Sequence, residues 1–139
     1  MATQSIVSNG TATLISNGFT KTGYSFASWN TLVDGSGTSY SDAATYTIAT
    51  VDVTLYTQWS ADSQTLNFNG NTSDGGSTAS QSILSDASAT LTSNGFTKTG
   101  FTFVSWNTLV DGSGTSYSDV ATYTIVTAAA TLYAQWSAI

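Results

Sequence analysis

The chain has no cysteine, proline, histidine, arginine or glutamate, and each absence removes a class of chemistry. Without cysteine there is no disulfide, thiol nucleophile or thiolate metal site, and such a chain is compatible with either redox compartment. General acid–base work at neutral pH draws on His, Glu or a tuned Lys, whereas this sequence offers Asp, Tyr, Lys21 and Lys98. Its many Ser and Thr hydroxyls lack an adjacent base to activate them. No residue is therefore assigned as catalytic, cofactor-binding or metal-ligating, and the chain is read as a non-enzyme. Cations are scarce too: Lys21 and Lys98 stand against eight Asp, for a net charge of −6. Nucleic acid and anionic membrane are poor partners for that balance, because phosphate binding needs clusters of Lys and Arg. No run reaches the roughly 18 apolar residues of a transmembrane helix, so no membrane insertion is expected.

Rings and neutral polar residues fill the space these absences leave. In the first half Trp29, Trp59, Tyr24, Phe26, Tyr40, Tyr46 and Tyr56 supply most of the large apolar surface, and a buried aromatic contributes about 150–250 Å². The surface must be mostly Ser, Thr, Asn, Gln and Gly. A hydroxyl-rich coat of this kind is common on extracellular bacterial repeat proteins.

Organisation comes from a duplication. Residue n matches residue n+77 from Gln4 and Gln81 through Ala61 and Ala138, and about three-quarters of the pairs are identical. The longest shared blocks are residues 16–23 against 93–100 and 28–42 against 105–119. We expect two domains, residues 1–61 and 62–139. Tandem arrays are usually selected for reach, spacing or multivalency. The copies are unequal. Ahead of Gln81 runs a segment containing the strand-like Thr65-Leu66-Asn67-Phe68-Asn69, while only Met1-Ala2-Thr3 precedes Gln4. Mid-repeat sequence directly after Met1 suggests a fragment cut from a longer chain.

Period and punctuation predict a mostly β structure, α+β at most. Val51, Val53, Leu55, Thr57 and Trp59 alternate with polar residues and predict a strand with one apolar face. The counterpart face, Ala128, Ala130, Leu132, Ala134 and Trp136, carries smaller side chains and should pack differently or lean on a neighbour. Residues 24–29 read as another strand, and Asp34-Gly35-Ser36-Gly37 as the turn returning the chain through Thr38-Ser39-Tyr40. Tyr46 with Ile48, and Leu66 with Phe68, mark further strands. Asn17-Gly18 and Asn94-Gly95 mark turns. Asp42-Ala43-Ala44 is suited to cap one short turn of helix, and Ser60-Ala61-Asp62-Ser63 reads as a linker.

Four weaker patterns carry functional readings beside plainer ones. Asp34, Ser36, Thr38 and Asp42 present spaced oxygens of the kind calcium accepts, without the carboxylate density or closing Glu of an EF-hand loop; a hairpin turn is the favoured reading. Lys21 and Lys98 recur in Thr-Lys-Thr-Gly, where an internal amide bond is weighed against an exposed, solubilising Lys. The aromatics suit glycan or peptide stacking, yet their alternation favours core packing. Asn71-Thr72-Ser73 fits a glycosylation acceptor, and solvated strand faces account for it adequately.

Three blocks carry a family resemblance. Gly23-Tyr24-x-Phe26-x-Ser28-Trp29-Asn30-Thr31, then Asp34-Gly35-Ser36-Gly37-Thr38-x-Tyr40, then Thr54-Leu55-Tyr56-x-Gln58-Trp59 recur in the second copy at residues 100–106, 111–117 and 131–136. In that order they resemble the Listeria-Bacteroides repeat, the B-repeat of internalins, over nearly the whole chain. Two departures are Ser28 and Ser105, where the family usually has Gly before the Trp, and the lack of Pro. The resemblance implies two tandem small β-grasp-like sheets with little or no helix, strung within secreted or cell-wall-attached bacterial proteins. It brings no catalytic residues. It further implies that the opening strand, residues 65–69, lies beside the closing strand, so that the first copy has an open edge over residues 53–59, and open edges invite partners. The function expected is a structural stalk or spacer of a bacterial cell-surface or secreted protein, with neighbouring repeats as partners and no cofactor. The alternatives are an adhesive module for a glycan or host protein, and a homo-oligomer built by strand donation into the incomplete first copy.

Overall fold

Asp34 and Gly35 turn the chain back between two strands, as the sequence predicts, and Gly35 holds a φ of 80° that favours glycine. The computed structural model describes all 139 residues, Met1–Ile139, which divide into two compact units, Met1–Ala61 and Asp62–Ile139. The first unit contains β1 (Thr11–Thr13), β2 (Tyr24–Asn30), β3 (Ser39–Tyr40), β4 (Thr45–Thr47) and β5 (Tyr56–Ala61). Strands β3, β2 and β5 form an antiparallel sheet in that order, and β1 with β4 a separate ribbon.

The second unit contains β6 (Ser63–Asn69), β7 (Gly75–Gly76), β8 (Gln81–Leu84), β9 (Ser88–Thr90) and β10 (Phe96–Thr97). It continues with β11 (Phe101–Asn107), β12 (Ser116–Tyr117), β13 (Thr122–Thr124) and β14 (Ala130–Ala138). Its sheet has five strands in the order β12-β11-β14-β6-β8, and the opening strand β6 runs parallel to the closing strand β14. Ribbons β9–β13 and β7–β10 complete the unit. The chain is all β, with no helix.

A bulge decides which rings meet. The pairing of β2 with β5 shifts between Phe26 and Ser28, and that of β11 with β14 between Phe103 and Ser105. The extra residue resets the two-residue alternation. Phe26 and Trp29, three apart, therefore share the core face with ring centroids 5.2 Å apart, and Phe103 and Trp106 do so at 5.0 Å. Ala27 and Val104 turn outward instead.

The core of the second unit joins Leu66, Ile83, Trp106, Leu132 and Ala134 of the sheet to Leu91, Tyr123 and Ile125 from the β9–β13 ribbon and its flanks. Thus the closing strand with the smaller side chains is the better covered one: Leu132 and Ala134 are fully buried. The reason is β6, which runs alongside and sets Leu66 opposite Ala130 and Phe68 opposite Leu132.

Three expectations are corrected. The residues Asp42-Ala43-Ala44 form no helical turn, because Ala43 takes a φ of 53°, outside the helical region. Its N–H and that of Asn17 both donate to the Asp42 carboxylate, at 3.1 and 2.8 Å. Ser60-Ala61-Asp62-Ser63 is not a linker, since Ser60 and Ala61 belong to β5, Ser63 belongs to β6, and Asp62 alone lies between the strands. The closing strand is nine residues long only in the second unit. In the first it begins at Tyr56, because residues 53–55 have no neighbour equivalent to β6 to pair with. The run at 128–129 also lies outside β14.

Candidate functional site

The polar residues that recur in both repeats are used to close the hairpin loop. Asn107, buried in β11, donates from its amide to the carbonyls of Gly112 and Gly114 at 3.0 and 3.4 Å and to the Ser116 hydroxyl at 3.3 Å. Its amide oxygen accepts the N–H groups of Leu109 and Gly114, each at 3.0 Å. Asn30 repeats the pattern residue for residue. Asp34 accepts the Ser36 hydroxyl and N–H at 2.7 and 3.0 Å, and Asp111 does the same with Ser113. These bonds, the hydroxyl's first, hold both carboxyls below their usual range. The candidate calcium oxygens of Asp34 and Ser36 thus bond one another across an Asx turn, and no cluster of metal-ligating side chains forms.

The other sequence candidates are likewise engaged within the fold. Lys98 donates to the Thr72 hydroxyl at 2.7 Å and lies 4.3 Å from the centre of the Phe101 ring; Lys21 lies 4.0 Å from that of Tyr24. Asp74, whose carboxyl is lowered first by the Thr99 N–H, is part of the same corner. Asn71 turns its amide inward, donating to Val110 and Ala134 carbonyls at 3.0 and 2.8 Å. Trp29 and Trp106 are buried, each in a cluster of edge-on or tilted rings. Both indole N–H groups lack a partner, so these residues are held for ring area and not for hydrogen bonding.

The two repeats differ in what lies beside the closing strand, and there the first has a groove. It encloses about 290 Å³ and is lined by Ile6, Leu14, Phe19, Trp29, Ile48 and Leu55, among others. Their counterparts, Ile83, Leu91, Phe96, Trp106, Ile125 and Leu132, pack with Leu66 and Phe68 of β6. The Phe68 ring lies 4.8 Å from that of Trp106. In the first repeat no strand stands between β5 and residues 4–7; β5 is the edge of its sheet and residues 4–7 form no strand. Phe19 is 47% exposed in consequence. Sequence reasoning placed the open edge here, but not the wall made by Ile6, Leu14 and Ile48.

The same difference reaches the closing Trp. Trp136 donates its indole N–H to the carbonyls of Gly70 and Asn71, at 2.9 and 3.1 Å. Residues 70 and 71 have no counterpart in the first repeat, and no acceptor replaces them at Trp59. Trp136→Phe is expected to cost the second unit about 1 kcal/mol in excess of Trp59→Phe in the first. Urea unfolding followed separately in the two units by resolved NMR signals checks this; equal losses would contradict it.

The chain matches the Listeria-Bacteroides repeat domain over residues 1–58 and 65–135, and so belongs to that family as two tandem repeats. The family is a structural module and not a known enzyme family. A relative in Evansella cellulosilytica named "Putative Gly-rich membrane protein" is 38% identical over 77 residues, covering 51% of this chain and 9% of its own length. This chain therefore spans a small fraction of that relative. No solved structure matches the chain. No helix is long and apolar enough to cross a membrane.

Proposed function

We propose that the chain is a spacer segment of a bacterial cell-surface protein, holding another domain away from the cell. The observation that carries this reading is what the duplication keeps: the Asn30 and Asn107 loop closures, the Asp34 and Asp111 turns and the Trp29 and Trp106 ring clusters recur in both repeats. Each of these parts holds its own unit together. A module whose repeated residues serve its own rigidity adds a fixed length per copy, as repeat arrays do. The family match and the membrane-protein name of the Evansella relative support a surface setting.

The mechanism is mechanical. Each sheet resists deformation through buried rings and backbone pairing. Small-angle scattering on arrays of increasing repeat number tests it. The maximum dimension should grow by a constant increment per repeat, independent of protein concentration; a dimension that fails to grow would end the spacer reading.

A further inference from the structure

We propose that Asn9 is a site of spontaneous chemical modification, where the backbone nitrogen of Gly10 closes a succinimide ring that water opens to aspartate or isoaspartate. The proposal goes beyond the spacer reading and does not depend on it.

Asn-Gly is the reactive pairing for this chemistry, because glycine has no side chain to shield its nitrogen from the preceding carboxamide. The chain has four such pairs, Asn9-Gly10, Asn17-Gly18, Asn69-Gly70 and Asn94-Gly95. The fold treats them unequally. The Asn17 carboxamide is held from both ends, its oxygen accepting the Phe19 N–H at 2.9 Å and its nitrogen donating to the Phe19 carbonyl at 3.0 Å. Asn94 does the same with Phe96, at 3.0 and 3.1 Å. The Asn69 oxygen accepts the Asn71 N–H at 2.8 Å. Asn9 is exposed, and its carboxamide makes no hydrogen bond. It alone is free to swing its Cγ toward the next nitrogen.

The reaction balances with water as the only co-reactant. The Gly10 nitrogen loses its proton to solvent and attacks Asn9 Cγ; the new C–N bond forms as the bond to the amide nitrogen breaks, and that nitrogen leaves as ammonia. Water then adds to one of the two ring carbonyls. Opening at Cγ leaves an aspartate at position 9, whereas opening at the main-chain carbonyl leaves isoaspartate, whose backbone runs through Cγ and is one carbon longer. The Gly10 N–H donates to the Val7 carbonyl at 2.7 Å, so the turn must open first, a local fluctuation and not global unfolding. The Gly95 N–H is engaged too, by the Thr78 hydroxyl at 2.9 Å, so it is the carboxamide that sets Asn9 and Asn94 apart.

The second repeat shows which product the fold accepts. The counterpart of Asn9 is Asp86, followed by Ala87 where the first repeat has Gly10. Asn9 and Asp86 share a left-handed backbone, with φ of 58° and 60°. Their N–H groups donate to the carbonyls of Ala49 and Val126, and the N–H groups that follow donate to Val7 and Leu84. An aspartate at position 9 therefore keeps the turn. The longer backbone of isoaspartate does not, because this turn also fixes the end of the β1–β4 ribbon: Gly10 accepts the Ile48 N–H at 3.1 Å, beside the bond from Asn9 to Ala49 at 3.0 Å. Isoaspartate thus loosens the ribbon of the first repeat alone.

The intact chain, held in mildly alkaline buffer and mapped by mass spectrometry after digestion at low pH, tests this. Asn9 is expected to give both products at least about fivefold faster than Asn17, Asn69 or Asn94 react, the equivalent of about 1 kcal/mol for a hydrogen bond that need not break. In guanidinium the advantage should vanish, since Asn9, Asn17 and Asn94 all lie in Ser-Asn-Gly. The isoaspartate form, separated by chromatography, should exchange its Ile48 amide hydrogen faster than the native chain, whereas the Asn9→Asp chain should match the native one. The proposal is overturned by another Asn converting first, by equal rates at all four in the folded chain, or by aspartate without isoaspartate. An isoaspartate form with unchanged exchange at Ile48 overturns the loosening of the ribbon.

Discussion

Heating this chain is expected to unfold it in two steps, the first repeat well before the second. The two units have separate sheets and share about three-quarters of their paired residues, so the largest part of their difference in stability is what fills the space beside the closing strand. The second unit buries Leu66 completely and packs Phe68 on Trp106. Full burial of a side chain such as Leu66 stabilises by about 1.5–3 kcal/mol, so with the partly buried Phe68 the pair contributes about 3 kcal/mol or somewhat more that the first unit lacks. That is a large share of the roughly 5–15 kcal/mol by which a domain is stable. At about 4–8 °C per kcal/mol for a domain of this size, even 3 kcal/mol puts the first midpoint about 12–24 °C below the second. Residue-resolved thermal unfolding by NMR, with separate amide signals for each unit, measures both midpoints. Replacing Met1, Ala2 and Thr3 with a copy of residues 62–80 supplies the missing strand in cis and should bring the midpoints together. A single transition in the unaltered chain, or two that the replacement leaves apart, would show that the groove is not what separates the repeats.

That prediction was half visible in the sequence. The duplication shows by simple alignment that the first copy has no match for Leu66 and Phe68, and their alternation marks a strand. Alignment does not show what the absent strand touches. Ile6 and Leu14 lie in coil, where no period of two has room to show, and the alternation of Tyr46 with Ile48 marks a strand without showing what Ile48 faces, so the second wall of the groove became visible only in the fold. Ribbon strand β1 is Thr-Ala-Thr, too short and too polar to announce itself. The hairpin was legible because Asp-Gly has a local preference that needs no tertiary context. The bulges were not, since Ala27 and Val104 look like any outward residue; the spacing of three between Phe26 and Trp29 was the available hint. The helical turn expected at Asp42 failed for the converse reason. Asp42 does cap neighbouring N–H groups, but Ala43 turns left-handed and sends the chain into β4.

Asn107→Ala is expected to unfold the second repeat more readily than any change of similar size on its surface. The side chain is 1% exposed and takes part in five hydrogen bonds, three donated and two accepted, all to the loop between β11 and β12 or to β12 itself. Truncation removes both halves of the amide and all five of these hydrogen bonds. At about 0.5–1.5 kcal/mol for each bond lost, a loss of about 3 kcal/mol or more is expected. Asn107→Asp separates the halves. The carboxylate still accepts from Leu109 and Gly114, but its other oxygen faces the carbonyls of Gly112 and Gly114, which repel a charge and can only accept a proton bond. Burial and those carbonyls both favour the neutral acid, raising its folded pKa above the unfolded value of about 3.9. A raised folded pKa means that the variant keeps its stability below about pH 4 and loses it as pH rises through the folded pKa. The native chain has no such group at this position, so the difference between the two proteins should widen from pH 3 to pH 7. Urea midpoints across that range measure it. A gap that is constant with pH would mean that the amide donors are unimportant, and that Asn107 acts through its acceptor oxygen alone.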